Sequence, residues 1–320
     1  MAKVVVTGKI PAGGLERLKA EHDVTAWESD VAISRDELLR MVAGADAIVS
    51  LLTEKVDDEL LDAAGPQLKS VSNVAVGYNN IDVPACEKRG VLVTNTPGVL
   101  TEATADIAMS LILMATRRLG EGERVIRAQE PWQWGMFYML GMGLQGRQLG
   151  IVGMGQIGIA TARRAMAFGM NIAYTRRSPL EDNVVKELDA KYMSMDELIE
   201  SSDVLSLHCP YSPATHHLMS ENQFARMKKT AFLINTARGP IVHEQALVDA
   251  LKSGQIAGAG LDVFENEPAV NPGLLELDNA VLIPHLGSAT VETRAAMADI
   301  AATNALAILA GAQAPNLVTS

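Results

Sequence analysis

Residues 147–169 read RQLGIVGMGQIGIATARRAMAFG. An apolar run, Gln148–Val152, leads directly into Gly153, Gly155 and Gly158 in the spacing G-x-G-x-x-G, and the glycines lead directly into a helical pattern. Each glycine meets a separate demand. The first permits a tight turn, the second lets a pyrophosphate approach the backbone, and the third lets helix and strand pack closely, while the helix amino end stabilises the anion. Gly141, Gly143 and Gly146 repeat the spacing, but that copy precedes a strand instead of following one and reads as a loop. The strand–loop–helix context, more than the glycines, predicts a dinucleotide site.

On both sides of this stretch the chain keeps a βαβ rhythm. β-branched and apolar runs occur at Val4–Thr7, Val24–Trp27, Ala47–Leu51, Val71–Val76 and Val91–Thr94, then at Asn171–Thr175, Val204–His208, Ala231–Asn235, Ala257–Leu261 and Ala280–Ile283. Strands without polar alternation belong to parallel sheets covered on both faces, so the fold class is α/β with two doubly wound sheets. One long helical pattern, capped by Thr101, separates the two series, and a last one runs from Val291 to about Leu309. The final helix and tail are too small for a domain and are expected to pack back on the first unit. The expected domains are therefore 1–100 plus 287–320, and 101–286.

Composition narrows the function classes. With 320 residues, 48% hydrophobic and 20% charged, the chain has material for about two domains and large cores. Its net charge of −11 disfavours nucleic acid as a partner. The longest apolar stretch, Ile107–Ala115, falls short of a bilayer span, and the start of the chain lacks a signal-peptide hydrophobic run. Two cysteines, Cys86 and Cys209, make no disulfide framework and no four-ligand zinc site, so a reducing cytoplasm is expected.

Beyond the glycine turn, an NAD site usually carries an acid at the end of the next strand, about 20 residues on. Here that strand ends Thr175-Arg176-Arg177-Ser178 without one. Two guanidiniums and two hydroxyls suit a 2′-phosphate, so NADP(H) is favoured, with NAD(H) the alternative. Arg238, Glu267 and His285 each follow a different strand, in NTARGP, GLDVFENEP and PHLGSAT. Carboxyl ends of parallel strands are where α/β ligands lie, so the three converge on the edge that carries the dinucleotide loop. His243-Glu244 begins a zinc-protease pattern, but position 247 is Leu. His208, Cys209, His216 and His217 are not expected to bind metal, because His216 and His217 are adjacent and point apart in regular structure. Neither GxSxG nor GxxxxGK[ST] occurs.

These segments, with VAVGYNNID, NTPGVLTEATADIA, LHCPYSPATHHLM, LINTARGPIV and PHLGSATVETR, resemble the D-isomer-specific 2-hydroxyacid dehydrogenases along the whole chain, most closely their glyoxylate/hydroxypyruvate reductase branch. The resemblance implies a flavodoxin-like substrate domain, a Rossmann coenzyme domain and a homodimer. It implies reduction of a small 2-oxo acid to the D-2-hydroxy acid by hydride transfer from NAD(P)H. Arg238 would bind substrate, and His285 would act as acid/base with Glu267 orienting it and favouring its charged form. Coenzyme contacts carry over to Thr104, Met154–Ile157 within the turn Gly153–Gly158, Thr175–Arg177, Cys209, Thr236, Ala237, Arg238, Asp262, His285 and Ser288. Backbone amides of Val76 and Gly77 would hold the substrate carboxylate. Asn79 departs from the family's usual Asp, a mild change where the backbone is the binding element. Trp134, Phe137 and Tyr138 match a segment that can reach a neighbouring subunit's pocket.

Two other readings use the same fold. A dinucleotide-sensing corepressor would need docking tails, and the ends here are short and free of low-complexity sequence. A phosphite dehydrogenase fits the same groups, whereas formate enzymes of the superfamily pair the His with Gln, and this chain has Glu267.

Overall fold

The computed structural model describes residues 1–318, so Thr319 and Ser320, the end of the expected first domain, lie outside the described residues. The chain forms two units, one of Met1–Leu100 with the segment from Ala289 onward, the other Thr101–Ser288. The second crossing falls after Ser288 and not before residue 287, because groups of the second unit hold the turn at Leu286 and Gly287.

In the first unit, β1 (Lys3–Val6), β2 (Asp23–Ala26), β3 (Ala47–Ser50), β4 (Ser70–Asn73) and β5 (Leu92–Thr94) form a parallel sheet in the order β2-β1-β3-β4-β5. That is the flavodoxin-like order. β3 and β4 are wholly buried, as strands covered on both faces must be, while the edge strand β2 alternates. The helix Val291–Leu309 lies against the helix Ala12–Glu21 and across β3, β4 and β5, burying a stripe of Ala298, Ala301, Ala302 and Ala305. Small side chains on that stripe allow the close approach. Leu317 then pairs antiparallel with Thr94, so the end of the chain borders β5.

The second unit holds a seven-stranded parallel sheet of β6 (Gln148–Val152), β7 (Asn171–Thr175), β8 (Lys191–Tyr192), β9 (Val204–Leu207), β10 (Phe232–Asn235), β11 (Gly258–Leu261) and β12 (Ala280–Leu282). Its order, β12-β11-β10-β9-β6-β7-β8, is the Rossmann order with one strand added, and its topological switch lies between β6 and β9. Two apolar clusters sandwich it, one centred on Leu205, Leu233 and Leu247, the other on Ile151, Tyr174 and Ile234.

Two local expectations need correction. The single helix predicted from Thr101 is two, Thr101–Thr116 and Leu119–Arg127, broken where Arg118 takes a left-handed φ of 53°. Thr101 is its first helical residue and not its cap. The strand β8 was not foreseen: it is two exposed residues on an edge, with no apolar run to mark it. Among the described residues no helix is long and apolar enough to cross a membrane.

Candidate active site

Register in the second sheet sets the site. Val152 pairs with Thr175 on one side and Leu207 on the other, so the turn after β6 opens beside the ends of β7 and β9. Gly153 has φ +89°, and a Cβ there would lie 2.4 Å from the Cys209 nitrogen. Only glycine allows this turn at the switch point. Gly155 has open space around it and precedes the helix Gln156–Ala167 without a side-chain cap, leaving amino-end N–H groups for an anion. At Gly158 a Cβ would crowd the Gly153 carbonyl at 3.1 Å. Met154 is buried beneath the turn, and Ile157 is half-buried beside it.

Thr175 ends β7 directly beside Gly153, whose N–H donates to the Thr175 carbonyl at 3.0 Å. Arg176 reaches back over the turn and donates through Nη1 to the Met154 carbonyl at 3.3 Å, while Tyr192 Oη donates to the Arg176 carbonyl at 3.0 Å. Arg177 is exposed. Burial pushes the Cys209 thiol up to about 11, which keeps it in its protonated form near neutral pH.

At the other end of the edge, Asn235, Leu261 and Leu282 share one level across β10, β11 and β12. Thr236, Asp262 and Ile283 therefore begin three adjacent loops. Asn235 turns the first by donating to the Arg238 carbonyl at 3.0 Å and accepting from Ala237 N–H at 3.0 Å. Thr236 Oγ1 is buried without a hydrogen-bond partner among the described residues. An orphaned hydroxyl at the sheet edge fits a site completed by a polar ligand. Arg238 is largely withdrawn from water, and this burial lowers its pKa against the opposing effect of Glu267. It stays a cation, and a desolvated cation binds an anion strongly.

His285 Nδ1 and Glu267 Oε2 are 2.8 Å apart, and Glu267 Oε1 accepts from the Phe264 N–H at 3.0 Å. Burial alone would push the Glu267 carboxyl up. The His285 hydrogen bond and charge, the Phe264 N–H and Arg238 outweigh burial and hold it below its ordinary value. His285 has φ +51°, uncommon for a non-glycine residue. Asp262 holds that conformation: its carbonyl accepts from His285 N–H at 2.9 Å, and its carboxylate accepts from the N–H groups of Leu286 at 2.5 Å and Gly287 at 2.8 Å. Burial raises the Asp262 pKa against the pull of those N–H groups and His285. Thr104 Oγ1 donates to the Gly287 carbonyl at 3.0 Å, tying the first helix of this unit to the same turn, which ends at the half-buried Ser288.

Several supporting residues escaped the sequence reading. A Cβ on Gly239 would lie 1.9 Å from the Phe264 carbonyl carbon, so the Arg238 and Glu267 loops touch backbone to backbone. Beside them Glu244 N–H donates to Glu265 Oε2 at 3.2 Å and Glu265 N–H donates to Glu244 Oε1 at 2.7 Å, a reciprocal pair with His217 Nε2 on Glu265 Oε1. A glycine immediately after Arg238 was the available signal for the first. Nothing local marks the second.

The histidines also differ from expectation. His216 and His217 do not point apart: they lie in a turn, not regular structure, where His217 has φ +50°, and their rings stack at 3.9 Å. His243 continues the stack at 4.6 Å from His217. Stacked rings do not converge their nitrogens on one point, and no group of His, Cys, Asp or Glu among the described residues could hold a metal ion. Burial lowers His208 to about 4, leaving it a neutral partner of Ser206 Oγ at 2.9 Å.

A Rossmann sheet with a glycine turn at its switch point and an Arg, a Glu–His pair and an orphaned hydroxyl on the same edge defines a nicotinamide dinucleotide-dependent oxidoreductase. The D-isomer specific 2-hydroxyacid dehydrogenase NAD binding domain matches residues 109–287. The chain is 48% identical over 319 residues to the glyoxylate reductase of Korarchaeum cryptofilum, covering 99% of this chain and 95% of that one. It is 47% identical over 321 residues to the glyoxylate reductase of Thermococcus onnurineus, with the same two coverages. Among solved structures, an NADPH-dependent glyoxylate/hydroxypyruvate reductase from Sinorhizobium meliloti in complex with NADP and malonate superposes with a TM-score of 0.85 at 36% identity, covering 99% of this chain and 97% of that one. The chain belongs to the D-isomer-specific 2-hydroxyacid dehydrogenase family.

Proposed function

We propose that this enzyme reduces a small 2-oxo acid, of the glyoxylate or hydroxypyruvate kind, to the D-2-hydroxy acid with NADPH as the preferred coenzyme. The observation that carries the reading is the 2.8 Å His285–Glu267 pair on the strand edge that also carries the desolvated Arg238. The nicotinamide, when bound, supplies the hydride. Arg238 binds the substrate and stabilises the negative charge that grows on the carbonyl oxygen. His285 gives its Nε2 proton to that oxygen, because Nδ1 is committed to Glu267. The Val76 and Gly77 amides bind the substrate carboxylate. Glyoxylate, hydroxypyruvate, pyruvate and 2-ketogluconate assayed with NADPH and with NADH test the reading, and no turnover of any of them would reject it.

The coenzyme preference rests on Thr175, Arg176 and Arg177 standing where an NAD-selecting acid would repel a 2′-phosphate. One charge-assisted hydrogen bond from Arg176 is worth about ten-fold or more in preference. Higher kcat/KM with NADPH than with NADH is expected, and Arg176→Ala should narrow the gap mainly by raising KM for NADPH. Equal efficiencies in the parent enzyme would reject the phosphate reading alone.

The segment 132–140 presents Trp132, Trp134, Met136, Phe137 and Leu140 to solvent, with Phe137 89% exposed. So many exposed apolar side chains within nine residues, in a chain with 4% aromatics, support a homodimer that covers them. Sedimentation equilibrium should return twice the chain mass, and Trp134→Ala with Phe137→Ala should shift it toward the monomer. A monomeric parent enzyme would reject this assignment.

A further inference from the structure

The loop after β4 is braced from one side. Thr96 N–H donates to the Ala75 carbonyl at 2.9 Å, and Asn95 Nδ2 donates to the Val76 carbonyl at 2.8 Å. A trans peptide is planar, with its C=O and N–H pointing oppositely. Fixing the Ala75 carbonyl therefore fixes the Val76 N–H, and fixing the Val76 carbonyl fixes the Gly77 N–H. Both carbonyls are caught by the same neighbouring segment, 95–96, so both N–H groups are turned away from it. Neither has an acceptor among the described residues.

The brace has its own supports. The Asn95 carbonyl accepts from Asn304 Nδ2 at 3.2 Å, and Asn95 N–H donates to the Asn316 carbonyl at 3.2 Å. Asn304 is fully buried in the helix Val291–Leu309 and accepts from Asn316 N–H at 3.3 Å. Asn73, the last residue of β4 and also fully buried, donates to the Gly77 carbonyl at 2.9 Å and accepts from Ser50 Oγ at 3.1 Å. Buried amides whose donors and acceptors are committed to main chain and to one another hold one geometry, since any rearrangement strands a polar group.

We propose that Asn95 is a positioning residue for substrate: it orients the Gly77 N–H toward the carboxylate, and Asn304 with the chain end at Asn316 holds Asn95 in place. This rests on the reading that the Val76 and Gly77 amides bind that carboxylate. It identifies a role for side chains that touch neither substrate nor coenzyme and lie over 200 residues apart in sequence.

The test compares Asn95→Asp, which keeps the side chain's size and removes the donor, with Gly77→Pro, which removes the N–H itself. Asn95→Asp should raise KM for glyoxylate and Ki for oxamate together by about ten-fold, leaving kcat within about three-fold and the NADPH Kd unchanged. A merely structural defect would not separate KM from kcat and coenzyme affinity. If Gly77→Pro raises KM and Ki while Asn95→Asp leaves both unchanged, the positioning role is wrong and the carboxylate reading stands. If Gly77→Pro also leaves both unchanged, the two fall together. Should Asn95→Asp fail to fold, Asn304→Ser should move KM and Ki the same way by about two- to three-fold, and unchanged values would overturn the proposal.

Discussion

His285→Ala should lower kcat for glyoxylate reduction by about 10³ while NADPH still binds, because proton delivery by a positioned side chain is worth about 10²–10⁴ and the imidazole is not what holds the pyrophosphate. Stopped-flow turnover and titration of NADPH fluorescence measure the two quantities separately. Turnover within ten-fold of the parent enzyme would remove His285 from the reaction. Glu267 gives the companion result in pH. Its carboxyl sits below the ordinary value, so the Glu–His pair is intact above that lowered pKa and is lost as pH falls through it. Glu267→Gln keeps a hydrogen-bond acceptor and has no charge to titrate. The variant should be slower at every pH and should lack the acid limb that this carboxylate produces in the parent profile.

Arg238→Ala should cost about 10³ in kcat/KM, the loss typical of truncating one partner of a buried charged pair. Lys at this position is expected to recover little, since an ammonium cannot reproduce two parallel hydrogen bonds to a planar acid. The measurement is kcat/KM for glyoxylate in Arg238→Ala and Arg238→Lys. A lysine variant at parent efficiency would show that charge alone suffices, and an alanine variant within ten-fold would move substrate binding elsewhere.

Much of this architecture was legible in the sequence because its causes are local. The glycine turn follows from three backbone demands within six residues, and the parallel sheets follow from short apolar runs that no alternation interrupts. Arg238, Glu267 and His285 stood out because each lies in a loop that follows such a run. What stayed hidden depends on contacts between distant residues or on single dihedral angles. The helix break at Arg118 carries neither Pro nor Gly at the broken residue, and only its positive φ reveals it. The Glu244–Glu265 pair joins residues 21 apart through the register of β10 and β11. The histidine stack arises from a left-handed turn that no pattern of His spacing announces. The Asn95–Asn304 bond is invisible for the same reason, since chain distance says nothing of which helix will lie across β5.

The helix Val291–Leu309 has a consequence for how the molecule is made. It covers β3, β4 and β5, yet it is encoded after the whole of the second unit. A ribosome adding about 5–20 residues per second needs roughly 10–40 s to pass from Leu100 to that helix. During that interval the first sheet lacks the helix that covers β3, β4 and β5, while the second unit is an uninterrupted stretch of chain. The coenzyme-binding half can be complete on the nascent chain before the first hundred residues have a finished core. The core of the first unit is thus finished by a segment encoded on the far side of the second.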